Sequence, residues 1–123
     1  MEELNRLSEK VIGCAIEVHR NLGPGLLESV YEKALAVELK HAKLNFEQQY
    51  VIPVFYKGEN IGEHRLDILV EKSLVLELKA VDRSDPVFKA QLLSYLKLGN
   101  FRLGLLINFN LPVLKDGITR VIL

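Results

Sequence analysis

A chain of 123 residues in which 16 Lys and Arg balance 16 Asp and Glu has no net field to attract a polyanion, so any grip on nucleic acid has to come from a local groove. With 49% hydrophobic and 26% charged residues, the composition is that of an ordinary globular protein, and residues 1–123 read as one domain able to bury about two-thirds of its unfolded surface. The single Cys14 excludes an intramolecular disulfide and, in an apolar helical pattern, reads as a buried thiol. No signal-peptide pattern opens the sequence and no apolar run is long enough to span a bilayer, so a reducing, cytoplasmic setting is expected.

Leu4, Leu7, Val11, Ala15 and Val18 recur at three and four residues and predict an amphipathic helix over 3–21. Asn21-Leu22-Gly23-Pro24-Gly25 interrupts it. A second helix is expected from Leu26 to Lys43, with Leu27, Val30, Tyr31, Ala34 and Leu35 on its buried arc. Phe46 to Tyr56 reads as a strand, and Pro53 marks it as an edge strand or the site of a bulge. Lys57 to Asn60 turns the chain into a strand carrying Asp67, and a further strand carrying Glu77 ends near Asp82. Asp85 before Pro86 has the form of an N-cap with proline at the first helical position, opening a helix to about Leu98. Phe101 to Phe109 is nearly continuous in apolar residues, as in a strand buried on both faces, and Asp116-Gly117 turns into a last strand, Ile118 to Leu123. The order ααβββαββ predicts an α/β sandwich with a mixed sheet.

Asp67, Glu77 and Lys79 interrupt strands that are otherwise apolar, where desolvating a charge costs several kcal/mol unless something balances it. If Glu71-Lys72-Ser73 is a three-residue hairpin loop, Val70 faces Leu74 and, three residues further along each strand, Asp67 faces Glu77. A two-residue loop would put them on opposite faces. Two carboxylates about 5 Å apart repel by roughly 3 kcal/mol at an effective dielectric of about 20. A hard divalent cation turns that repulsion into chelation. The competing reading is a structural salt-bridge cluster in which Lys79 and Arg65 neutralise the two acids.

Glu28 lies at the border of the second helix's buried arc, where a first-turn acid also suits the helix dipole. Glu38 falls near the centre of that arc and is expected to pair with Arg65 or Lys79. Gln91 and Tyr95, four apart, share a helix face. His19 reads as a surface or satisfied core histidine. Lys40, His41 and Lys43 form a basic helix end. Gly23-Pro24-Gly25 lacks the lysine and hydroxyl of a phosphate loop, and no Cys/His cluster indicates zinc.

Asp67, a spacer and Glu77-Leu78-Lys79, with helices in the order αβββαβ, resemble the PD-(D/E)XK nuclease superfamily. Gly25-x-x-Glu28-x-x-Tyr31-x-x-Ala34-Leu35 resembles the signature of its GxxExxY family, and the stretches Glu77 to Val81 and Gly104 to Phe109 are similar too. The resemblance implies a restriction-endonuclease-like core with an extra N-terminal helix and C-terminal strand. It implies a Mg²⁺ or Mn²⁺ ion held by Asp67, Glu77 and the main-chain carbonyl of Leu78, with Glu28 as the acid from the first core helix. Lys79 would orient or deprotonate the attacking water, and Gln91-x-x-x-Tyr95, similar to a motif of the RecB-like branch, would contact substrate. Phe88 stands where related sequences often carry histidine. The implied activity is phosphodiester hydrolysis in nucleic acid, with DNA favoured over RNA as the partner while the sequence leaves the choice between them open. The alternative is a catalytically silent module that binds nucleic acid or a protein partner. A homodimer through the first helix or the last strands is compatible with both.

Overall fold

The computed structural model describes residues 1–123. Two helices come first, α1 (Glu2–Leu22) and α2 (Glu28–His41), followed by β1 (Phe46–Tyr56), β2 (Glu59–Val70) and β3 (Leu74–Lys79). Helix α3 (Pro86–Gly99) crosses over to β4 (Leu103–Asn108), and a 3-10 turn (Leu114–Gly117) leads into β5 (Ile118–Ile122). The strands lie in the order β1-β2-β3-β4-β5, with β3 and β4 parallel and every other neighbouring pair antiparallel. This is a restriction-endonuclease-like mixed α/β fold with helices on both faces of the sheet.

Side-chain alternation divides the core between those faces. Leu74, Leu76 and Leu78 of β3 and Leu103, Leu105 and Ile107 of β4 pack with Val11, Ala15, Tyr31, Leu35 and Leu39 of α1 and α2. Val75, Leu106 and Val121 face the other way and meet Leu92 and Leu96 of α3. Gly104 lets Leu92 close on the sheet, since a Cβ there would stand 2.9 Å from its Cδ1. Both central strands are thus covered on both sides, which is why β4 lacks polar alternation.

The local signals act as expected at most ends. The Asp85 side chain accepts a hydrogen bond from the Val87 N–H at 3.0 Å, and Asn100 closes α3 in the left-handed conformation with φ of 58°. Strand β1 is an edge strand, and its register with β2 slips between Val54 and Phe55, just beyond Pro53. His19 is a satisfied histidine, its Nε2 lying 2.7 Å from the Leu111 carbonyl oxygen.

Two expectations are corrected. Helix α2 starts two residues later than its apolar pattern predicts: Leu27 is the extended N-cap, 73% exposed, and Val30 is exposed as well. The buried arc is instead Tyr31, Leu35, Ala36 and Leu39. Glu38 pairs with neither Arg65 nor Lys79, because Arg65 turns to Glu63 at 3.5 Å on its own strand.

Candidate active site

The three-residue loop between β2 and β3 forms, with the Ser73 N–H donating to the Val70 carbonyl at 3.0 Å and Glu71 and Lys72 at positive φ. It sets Val70 opposite Leu74 and Ile68 opposite Leu76, and there the β2–β3 ladder stops. Two side chains take over where the ladder ends. The Leu78 N–H donates to Asp67 Oδ2 at 2.8 Å, and the Asp67 N–H to Glu77 Oε1 at 3.4 Å. The two carboxylates therefore come together, though Asp67 and Glu77 are not themselves a cross-strand pair: the ladder ends one residue short of them and side-chain hydrogen bonds bridge the gap.

Strand β2 also shifts face at this point. Leu66 and Leu69 belong to the α3-side cluster while Ile68 and Val70 pack beneath α1 and α2, so the alternation slips by one at Asp67. Gln49, the β1 residue beside this slip, has a φ of 53°, and neither it nor Asp67 takes part in the β1–β2 pairing. The kink lets β2 part from β3 and opens the sheet at the acidic pair.

Glu77 is buried, with 8% of its surface exposed, and Asp67 is half-buried. Neither forms an ion pair. The two salt bridges of the molecule are Arg20–Glu17 and Arg65–Glu63. Lys79 points its Nζ over the Phe88 ring, 4.5 Å from the centroid. The structural salt-bridge reading required Arg65 and Lys79 to close on the acids, and they do not. Burial, and then the negative charge of Asp67, push the Glu77 carboxyl up to about 8, against the pull of the Asp67 N–H and of Lys79.

Two flanking helices aim at this opening. Glu28 is the first residue of α2, and its carboxyl is raised by burial and by Asp67, with Lys79 opposing and Glu32 adding to the rise. On α3, Tyr95 is half-buried, and its phenol is raised by burial, then by Glu77 and Asp67. Gln91 lies exposed one turn earlier on the same helix. The Gly-x-x-Glu-x-x-Tyr spacing now has a physical reason. Tyr31 stacks on Phe109 with ring centroids 4.5 Å apart, and its Oη donates to the Gly23 carbonyl at 2.5 Å and accepts from the Leu26 N–H at 3.2 Å. It ties down the loop that delivers Glu28. Tyr31→Phe should keep the stack but leave that loop unanchored, costing about 1 kcal/mol and lowering Tm by roughly 3–6 °C in a thermal melt.

Several contributors escape sequence reasoning. Asn108, at the end of apolar β4, accepts from the Val81 N–H at 3.1 Å and donates to the Val81 carbonyl at 3.0 Å, fixing the chain just beyond Lys79. Gln48 and Gln49 both donate to Glu32, at 3.0 and 2.9 Å, one helical turn beyond Glu28. A polar residue closing an apolar strand and a Gln-Gln pair at a strand kink were the available signals. A cavity of about 90 Å³ lined by Lys79, Phe88, Asn108 and Thr119 adjoins the site. A larger one of about 490 Å³ lies between Arg6, Lys10 and the β2–β3 loop, away from the acids.

The groups that could hold a metal here offer oxygen alone: two carboxylates and the Leu78 carbonyl, which in a strand points to the same side as the N–H held by Asp67. No three His, Cys, Asp or Glu side chains converge as a self-sufficient cage, Glu28 included. Such a set fits a hard cation that keeps part of its water shell, and does not fit structural zinc.

A family model of the PD-(D/E)XK nuclease superfamily matches residues 5–121, and the chain belongs to that superfamily. Its members generally use divalent metal ions to cut nucleic acid. The crystal structure of SSO0001 is similar, with 25% identity and a TM-score of 0.52 over 75% of this chain and 46% of that one. This chain thus spans under half of that protein. Among curated proteins, none matches it. No helix is long and apolar enough to cross a membrane.

Proposed function

We propose that the chain is a single-domain, cytoplasmic nuclease of the GxxExxY family, in the RecB-like branch, that hydrolyses DNA phosphodiesters with Mg²⁺ or Mn²⁺. The observation that carries this reading is a buried Glu77 set beside Asp67 with no cationic side chain paired to either. A polar cluster kept for stability would be neutralised; one kept for a metal is left open.

In this reading Asp67, Glu77 and the Leu78 carbonyl would hold the ion, with Glu28 adding its carboxylate from the start of α2. When bound, the ion supplies Lewis acidity and makes water a nucleophile at neutral pH. Lys79 positions that water and meets the charge growing on the phosphate oxygens. Phe88 shields the lysine in the place where relatives often carry histidine, so the ammonium alone serves this side of the phosphate. Tyr95 and Gln91 contact the substrate from α3.

The test is cleavage of linear and circular duplex DNA, single-stranded DNA and RNA with Mg²⁺ or Mn²⁺. Lys79→Ala should lower turnover by roughly a hundredfold to ten-thousandfold. Cleavage that survives Lys79→Ala and Glu77→Ala would overturn the mechanism. Binding of these substrates without any cleavage would identify the silent-module alternative.

A further inference from the structure

Beyond the acidic pair, β2 leaves β3 and continues as a two-stranded arm paired only with β1. His64 stands on that arm opposite Ile52, on the face turned toward α3. Its neighbours Glu63 and Arg65 project from the opposite face and pair with each other at 3.5 Å. The exposed imidazole lies against Tyr95, with ring centroids 5.0 Å apart and planes at 45°. Tyr95 therefore joins two features: its ring braces His64, and its phenol stands near enough to Glu77 and Asp67 for both charges to act on it.

We infer that His64, braced by Tyr95, is a stacking platform for one unpaired nucleobase next to the phosphate cut at Asp67, Glu77 and Lys79, so that the substrate class is single-stranded or frayed DNA; this rests on the nuclease reading above. An aromatic face accepts any base, because every base has a π-face to stack. A base inside a duplex already has both faces covered and must first be unstacked, which costs a few kcal/mol. A chain without net charge has little long-range pull on a phosphate backbone, and stacking supplies affinity without it. Gln91 lies exposed one turn from Tyr95 on the same helix face.

The experiment titrates a single-stranded DNA oligonucleotide carrying 2-aminopurine, whose fluorescence falls on stacking, onto wild type, His64→Ala and His64→Phe. The same strands, and a blunt duplex of the same sequence, are then followed for binding and cleavage. His64→Ala should weaken single-strand binding about tenfold, abolish the quenching and raise KM far more than it lowers kcat, while His64→Phe restores all three. Blunt duplex should bind wild type and His64→Ala alike. Single-strand affinity and quenching unchanged in His64→Ala, or a phenylalanine that fails as alanine does, would overturn the platform. A wild type that cleaves but is indifferent to His64 sinks this inference and leaves the nuclease reading standing. A wild type that never cleaves yet loses single-strand binding and quenching in His64→Ala sinks the nuclease reading and leaves only the stacking platform, in a module that binds without cutting.

Discussion

Asp67→Asn is expected to lower cleavage by roughly a thousandfold or more while leaving the fold at least as stable as wild type. The amide keeps an oxygen where Oδ2 stands, so the Leu78 N–H retains its acceptor. What is lost is the charge a metal needs. At about pH 9, above the value near 8 at which Glu77 gives up its proton, wild type carries the repulsion of the pair, on the order of 3 kcal/mol at about 5 Å and an effective dielectric of about 20. Asparagine removes it, and Tm in the presence of chelator should rise by several degrees. Asp67→Ala is a poorer probe, since it leaves a buried N–H without a partner and costs about 1–3 kcal/mol by itself. The pairing of lost activity with gained stability marks a residue kept for function against the interest of the fold. Cleavage retained in Asp67→Asn, or a clear fall in its Tm, would contradict this account.

The second large effect is on pH dependence. Glu77 titrates at about 8 in the folded chain against an ordinary value of 4.5, because it is buried beside Asp67. The folded state thus holds a proton that the unfolded chain has released. Its stabilising contribution is complete below about 4.5 and is lost as pH rises toward about 8. Without metal, stability should fall across that window, with a slope reaching at most about 1.4 kcal/mol per pH unit. Glu77→Gln, neutral throughout, should flatten the curve and exceed wild type at its alkaline end. Added Mg²⁺ should stabilise wild type most above about pH 8, where no proton must be displaced, and should have little effect on the Gln variant. At neutral pH, metal binding should release a proton, read as a buffer-dependent enthalpy in calorimetry. A melt of metal-free wild type that does not change over this range would refute the assignment.

The approach of Asp67 to Glu77 was legible as far as the length of one turn sets the register, up to Ile68 and Leu76. The start of α2 was not. Leu26 and Leu27 look like the beginning of a buried arc, yet the Tyr31 hydroxyl holds the preceding loop in a non-helical path and leaves Leu27 in solvent. Glu38 was assigned a cationic partner on helical-wheel geometry alone. The wheel gives a direction, whereas Arg65 found a nearer acid on its own strand. The kink at Asp67 was out of reach for a different reason, since it needs Gln49 in a left-handed conformation on a strand eighteen residues earlier. The contact of His64 with Tyr95 likewise joins elements that no local period connects. Periodic features of the fold could be read, and the site's neighbourhood could be read only in part, because it is assembled where periodicity breaks.

That break has a mechanical side. From Val51 to Arg65 the chain is a hairpin with one ladder of its own, joined to the remaining sheet through the stretch where β2 meets β3 and resting on α3 through Ile52 and His64. A two-stranded ribbon is marginal in isolation, so this segment resembles a lever whose pivot falls at Asp67. If the proposed nuclease reading holds, a strand of nucleic acid pressing on the arm would transmit force to the Asp67 carboxylate rather than to the hydrophobic layers beneath α1 and α2. Substrate geometry and the tightness of an ion's seat would then be one variable, set by how far the lever bends.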